Sequence, residues 1–310
     1  MTAPLVLVTC RQMQVELPRH RERIERLGYE VVAPELDGRQ QFSAAELLEY
    51  RDYLVGIIAG DDQLDREFFD GATRLKTVIR WGIGMDSVDH EAAREHGVTV
   101  RNTPGVFGHE VAEAAFGYIL NLARGYIAVD AAVRRGEWPK LEGVTLAGSQ
   151  LGVVGFGAIG REIAKCGSGF GMDVVVYDPF VDTAPTAVSI IDLDKLLATS
   201  RFIVLACPLT PQTFHLIDAQ RLTLVRPDAY LVNVARGPVV SERDLIETIK
   251  SGRLAGAALD VFEVEPLPLD SELRTLPNVV LGAHNASNTR EAVVRASDAA
   301  VDFLIEELAR

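Results

Sequence analysis

Short runs of Val, Ile and Leu alternate with helical patterns along the whole chain, and this alternation constrains the fold more than any other feature. In the second half the runs are LGVV, DVVVYD, FIVLAC, AYLVNVA, GAALDV and NVVLG, apolar at nearly every position. A strand that is apolar on both faces needs cover on both faces, which a parallel sheet between helix layers supplies. The first half repeats the pattern with PLVLVT, EVVAP, YLVGIIAG, LKTVIRW and VTVRN as strands. Helices are expected at ELPRHRERIERLG, SAAELLEY and VDHEAAREHG, two of them closed by Gly28 and Gly97. The fold class expected is therefore α/β, with doubly wound parallel sheets.

A chain of 310 residues suggests about two domains. Asn, Pro and Gly in NTPG (102–105) mark a candidate boundary. The longest helical stretch comes next, HEVAEAAFGYILNLARGYIAVDAAVRRG, expected as one helix over about 108–135 with a buried AAFGYILNLA core. The last helix runs from about Asn288 to Ala309 and is expected to return to the first domain.

Charge and cysteine content narrow the function. Apolar residues make up 48% and charged residues 24%, a globular composition. A net charge of −13 repels phosphate backbones, and RHRERIER alternates in sign along a helix, so no nucleic-acid partner is expected. No apolar run approaches the roughly 18 residues of a membrane span, and MTAPLVLVTC lacks the basic start of a signal peptide. Cys10, Cys166 and Cys207 are scattered and show no CxxC spacing. That pattern suits a reducing cytoplasm, with no disulfide framework and no metal site expected.

Gly155, Gly157 and Gly160 form G-x-G-x-x-G directly after a strand and at the start of a helix. The first glycine permits a tight turn, the second lets backbone approach a pyrophosphate, and the third lets helix and strand pack closely. Ala158 and Ile159 open the helix, whose N-terminal N–H groups can meet phosphate oxygens. Asp178 ends the next strand, 18 residues beyond Gly160, and is succeeded by Pro179 and Phe180 rather than an arginine. A carboxylate there accepts hydrogen bonds from a ribose and repels a 2′-phosphate, so NAD is expected over NADP.

Reduction of a 2-oxo acid asks for a cation on the carboxylate and carbonyl, an acid for the developing alkoxide, and a carboxylate that orients the acid. Arg236 after LVNVA, Glu265 in LDVFEVEP and His284 after VVLGA stand at strand ends suited to these roles. His20, His90, His96, His109 and His215 are expected on helix faces or in loops, away from any carboxylate-plus-arginine setting.

The chain resembles the D-isomer-specific 2-hydroxyacid dehydrogenases along nearly its whole length. The resemblance rests on RWGIGMDSVD, NTPG with EVAE, GVVGFGAIG, CPLTPQTFHLI, VNVARGPVV, AALDVFEVEP and PNVVLGAH, in that order. It implies two doubly wound α/β domains, a smaller flavodoxin-like substrate domain at 1–104 plus 286–310 and an NAD-binding Rossmann domain at 105–285. It also implies a homodimer formed through the 108–135 helix. Arg236 would grip the substrate, His284 would exchange the proton and Glu265 would pair with it. Asp260, Cys207, Pro208, Val234 and Ala235 would line the cofactor, and the N–H groups of Ile83 and Gly84 would bind the substrate carboxylate.

The implied activity interconverts a D-2-hydroxy acid and its 2-oxo acid with NAD. Arg80 stands where phosphate-handling relatives use an arginine, which keeps D-3-phosphoglycerate open, but the two acids of AGDDQ (59–63) oppose a phosphate. The chain ends at Arg310, as expected of a short form without a regulatory domain. Relatives commonly place Pro before the histidine, so Ala283 is expected to loosen the loop and Asn285 to add a polar amide. The alternative on the same fold is a non-catalytic NAD(H)-binding sensor of corepressor type. Formate- or phosphite-type oxidation is weakened by the ordinary setting of Glu265.

Overall fold

The computed structural model describes residues 3–36 and 38–310, over which elements are counted. The chain divides into two compact units, Met1–Val106 with Asn288–Arg310, and Phe107–Ser287.

The first unit runs β1 (Leu5–Val8), α1 (Arg11–Glu25), β2 (Glu30–Val32), α2 (Ala44–Leu47), β3 (Leu54–Ala59), α3 (Arg66–Gly71), β4 (Thr77–Arg80), α4 (His90–Glu95) and β5 (Thr99–Asn102). Its five parallel strands lie in the order β2-β1-β3-β4-β5. That is a flavodoxin-like order, with the switch point between β1 and β3. Asp65 and Asp89 cap α3 and α4 by accepting from the third N–H of each helix, a contribution of about 1 kcal/mol apiece. Phe68, Phe69, Leu54 and Ile57 are packed at the centre of one core cluster.

The C-terminal helix (Arg290–Leu308) packs on α1, β3 and β4 of this unit. A Cβ at Gly56 would come 3.1 Å from Leu304 Cδ1, so the glycine in β3 admits that helix. Trp81 Nε1 donates to Ser297 Oγ at 3.0 Å.

His20, 3% exposed, is enclosed between α1 and this helix. Its Nε2 lies 3.1 Å from Asp298 Oδ1, and Arg23 Nη1 lies 3.5 Å from its Nδ1. The expectation of a histidine away from carboxylate and arginine is corrected here, because tertiary packing imports Asp298 from the far end of the chain. Burial lowers the His20 pKa below its ordinary value; Asp298 and Glu16 act against this, and Arg19 and Arg23 act with it. A lowered folded-state pKa means the unfolded chain takes the proton more readily. The contribution of neutral His20 is therefore complete above about pH 6.5 and is lost as pH falls through the folded-state value. Melting curves from pH 7.5 to 5 should show Tm falling, and His20→Leu should make that fall shallower. An unchanged slope would show that His20 does not titrate on unfolding.

The second unit begins with α5 (Gly108–Arg124) and α6 (Tyr126–Arg134). The single helix expected over 108–135 is thus two, because Gly125 adopts φ 64° and ψ 32° and ends α5. A left-handed residue cannot continue a helix, and glycine meets no Cβ penalty there. Val111, Ala115, Phe116 and Ile119 bury one face of α5, while Gly117 is exposed, so the AAFGYILNLA segment is not covered all round.

Beyond these helices come β6 (Gln150–Val154), α7 (Ala158–Gly169), β7 (Asp173–Tyr177), β8 (Val188–Ile190), α8 (Leu193–Thr199), β9 (Phe202–Leu205), α9 (Ala219–Leu222), β10 (Tyr230–Asn233), α10 (Glu242–Lys250), β11 (Gly256–Leu259) and β12 (Val279–Leu281). The seven parallel strands lie in the order β12-β11-β10-β9-β6-β7-β8. Connections leave β6 in both directions, which puts the switch point between β6 and β9. The carboxyl ends of β9, β10, β11 and β12 therefore open on one edge, where ligands of such sheets bind. Among the described residues no helix is long and apolar enough to cross a membrane.

Candidate active site

The glycine turn joins β6 to α7. Gly155 has φ 94°, and a Cβ there would come 2.7 Å from Cys207 N, so the turn is pressed against the end of β9. A Cβ at Gly160 would lie 2.0 Å from Gly155 O, which shows how closely helix and turn approach. At Gly157, by contrast, a Cβ would meet nothing within 4 Å, and α7 has no side-chain N-cap hydrogen bond. Open space over uncapped N–H groups suits a diphosphate.

Asp178 comes directly after β7 and accepts from Phe156 N at 2.8 Å through Oδ2 and from Phe180 N at 2.9 Å through Oδ1. These bonds fix the carboxylate beside the glycine turn, where its remaining lone pairs can meet ribose hydroxyls. Ala158 is exposed, Ile159 half-buried and Pro208 exposed. Val234 and Ala235 are buried at the end of β10. The donor set fits a dinucleotide. Burial pushes the Cys207 thiol up to about 11 and the Cys10 thiol up to about 12, so both are inert packing groups at neutral pH.

Arg236, Asp260 and His284 lie just past β10, β11 and β12, which are neighbours in the sheet. His284 Nδ1 lies 2.7 Å from Glu265 Oε2 in a part-buried pair. Glu265 Oε1 accepts from Phe262 N at 2.9 Å, so both carboxylate oxygens are oriented. A Cβ at Gly237 would lie 1.9 Å from Phe262 C and O, so the Arg236 loop presses on the segment that carries Glu265. Arg236 is half-buried, and Asn233 Nδ2 donates to its carbonyl at 2.9 Å.

His284 has φ 51°, a backbone state uncommon outside glycine. Asp260 holds it: His284 N donates to Asp260 O at 2.6 Å, Asn285 N to Oδ1 at 3.2 Å and Ala286 N to Oδ2 at 2.9 Å. Ala283 therefore does not leave this segment loose, because Asp260 tethers the backbone of residues 284–286. Asp260 itself, 1% exposed, receives Tyr118 OH at 2.7 Å on Oδ1. Burial, then the charge of Asp260, raises the Tyr118 pKa above its ordinary value, so the phenol remains a donor. Tyr118 is not legible in the sequence, since a tyrosine inside an apolar helix reads as packing.

In the first unit Arg80 ends β4 and Ile83 and Gly84 lie half-buried in the loop beyond it. Gly82 N donates to Thr103 Oγ1 at 3.0 Å and Asn102 Nδ2 donates to Ile83 O at 2.8 Å, which hold that loop. Three further histidines meet a single carboxylate each. His96 meets Asp70 at 2.8 Å, His109 meets Glu162 at 3.1 Å and His215 meets Glu263 at 2.9 Å. These carboxylates come from other segments, so spacing along the chain does not reveal them. Among the described residues no cluster of His, Cys, Asp and Glu could hold a metal ion.

Residues 116–286 match the family model described as D-isomer specific 2-hydroxyacid dehydrogenase, NAD binding domain. A glyoxylate reductase of Thermococcus litoralis is 41% identical over 254 residues, covering 78% of this chain and 76% of that protein. A D-3-phosphoglycerate dehydrogenase of Methanocaldococcus jannaschii is 38% identical over 254 residues, covering 80% of this chain and 48% of that longer protein. Among solved structures, D-lactate dehydrogenase from Aquifex aeolicus, complexed with NAD and lactic acid, superimposes with a TM-score of 0.83 at 27% identity. The match covers 96% of this chain and 93% of that one.

Proposed function

Because this chain belongs to the D-isomer specific 2-hydroxyacid dehydrogenases and is an NAD-dependent oxidoreductase, we propose that it reduces a small 2-oxo acid of the glyoxylate type to the D-2-hydroxy acid. The observation that carries this reading is the His284–Glu265 pair, with Nδ1 and Oε2 2.7 Å apart. Glu265 accepts the Nδ1 proton and fixes the ring, so Nε2 is the nitrogen that exchanges a proton with a developing alkoxide. In the oxidative direction the same nitrogen takes the hydroxyl proton.

Bound NADH would supply the hydride that the carbonyl carbon accepts. Gly155, Gly157, Ala158, Ile159 and Gly160 would hold its diphosphate, Asp178 its adenosine ribose, and Cys207, Pro208, Val234, Ala235 and Asp260 would line the cofactor. Arg236 polarises the substrate carbonyl and pairs with its carboxylate. In the first unit, the backbone N–H groups of Ile83 and Gly84 have no acceptor among the described residues and suit a carboxylate. Tyr118 acts through Asp260 and is a positioning residue. A homodimer through 108–135 is supported by the exposure of Tyr126, Ile127 and Val133 on α6. Cytoplasmic residence is supported by the free, scattered cysteines.

D-3-phosphoglycerate is the second substrate reading, favoured by the Methanocaldococcus jannaschii relative. The test monitors NADH oxidation against glyoxylate, hydroxypyruvate, pyruvate and 3-phosphohydroxypyruvate. We expect kcat/KM to be highest for one of the unphosphorylated acids. Tight NADH binding without reduction of any of them would replace this reading with the sensor alternative.

A further inference from the structure

Asn233 ends β10, and Asp260 comes directly after β11, its neighbour in the sheet. Both are 1% exposed, and their residue types match their partners. The carboxylate of Asp260 meets donors: the N–H groups of Asn285 and Ala286 and the Tyr118 hydroxyl. An acceptor-only group serves there. The side chain of Asn233 meets one donor and one acceptor. Its Oδ1 accepts from Ala235 N at 3.0 Å, and its Nδ2 donates to Arg236 O at 2.9 Å. A side-chain amide supplies both functions from one planar group.

These two bonds close the turn that carries Arg236. Arg236 O also receives Val239 N at 3.2 Å, and Arg236 Nη1 donates to Ala235 O at 2.9 Å. Arg236 has φ −141° and ψ 147°, extended backbone that any residue adopts, so its direction is set by the bonds around it. The backbone of Asn233 is engaged separately, because its carbonyl accepts Asp260 N at 3.0 Å. A change of side chain at 233 therefore leaves the tie between β10 and β11 in place.

We propose that Asn233 is a positioning residue that aims Arg236 at the 2-oxo acid, its amide fixing the turn by one accepted and one donated hydrogen bond. The inference rests on the reading of Arg236 given above, as the group that polarises the carbonyl and pairs with the carboxylate. Asn233 acts from behind the turn and needs no contact with substrate. A side chain that fails at either bond leaves a buried N–H or carbonyl unmet, and the turn shifts to recover it. Displacement of a reacting group by about 1 Å costs up to about 100-fold in rate.

The experiment measures kcat/KM for glyoxylate at saturating NADH across neutral pH in Asn233→Asp and Asn233→Ser, each alone and combined with Arg236→Ala. NADH titration and Tm confirm that each variant is folded. Asn233→Asp keeps the size and the acceptor. Its carboxyl donates to Arg236 O when protonated and opposes that carbonyl with lone pairs when ionised. Burial favours the protonated form, and the charged groups tied to this backbone, Arg236 and Asp260, act on it with opposite signs. Its kcat/KM relative to wild type should therefore fall about 10- to 100-fold as pH rises. Asn233→Ser, too short for both bonds, should show the loss at every pH. In the Arg236→Ala background either substitution should change kcat/KM by less than about twofold, since no guanidinium is left to aim.

Full activity in Asn233→Ser, or an equal loss with and without the Arg236 side chain, overturns the inference and leaves the reductase reading standing. Undiminished turnover in Arg236→Ala alone removes Arg236 from the mechanism, and the inference falls with it. A wild type that binds NADH and reduces no 2-oxo acid overturns the reductase reading itself.

Discussion

Replacing His284 by alanine should lower kcat by about 10²–10⁴-fold, the usual contribution of a positioned general acid, while NADH affinity stays within about twofold of the wild type. The two halves of this expectation come from separate parts of the same sheet. His284 lies past the edge strand β12 and pairs with Glu265 at 2.7 Å. The glycine turn and Asp178 lie past β6 and β7, on the far side of β11, β10 and β9. Removing the imidazole would delete the proposed proton donor and leave the glycine turn intact. Asp260 still accepts the backbone N–H groups of residues 284–286, so the segment keeps its tether. Steady-state kinetics beside a fluorescence titration of NADH separates the two effects. Unchanged turnover would remove His284 from the mechanism.

Gly157→Ala should do the opposite, leaving the fold intact and weakening NADH binding by about tenfold or more, which is about 1.4 kcal/mol. A Cβ at 157 meets no protein atom within 4 Å, and the residue has φ −74° and ψ −157°, which alanine can adopt. Tm should therefore stay close to wild type. The methyl group would stand where backbone has to approach a diphosphate. Gly160→Ala is the contrasting variant. Its Cβ would lie 2.0 Å from Gly155 O, so helix and turn must separate and stability falls together with affinity. Full NADH affinity in a folded Gly157→Ala protein would place the cofactor elsewhere.

The contrast between these glycines shows where the sequence is informative. G-x-G-x-x-G after an apolar run names the turn, because its three glycines answer local demands on one short segment. Asp178 is legible for the same reason, as the acid at the end of the next strand. The sequence does not tell which glycine faces protein and which faces open space. For Gly155 that depends on Ala206 and Cys207 after β9, some fifty residues away.

His284 shows the same division. Its position after an apolar strand marks it as a candidate. Its partner Glu265, 19 residues earlier, is brought within 2.7 Å by a segment that returns from β11 to β12. Tyr118 and Asp260 lie 142 residues apart and meet at 2.7 Å, and no periodicity in either neighbourhood predicts it. The break at Gly125 is hidden because apolar spacing continues through it, and one left-handed residue changes direction without changing composition.

By itself the sequence determined the α/β class, the parallel strands, the dinucleotide turn, NAD as the cofactor and the identity of the proton-transfer candidates. Each of these comes from local chemistry: apolar period, glycine spacing, or the residue type at a strand end. Tertiary structure alone decided the partnerships: Asp298 beside His20 and Tyr118 on Asp260. The physical reason is that a charge or a hydrogen bond acts over a few ångströms of space, and only the folded sheet converts distances of tens to hundreds of residues into such contacts.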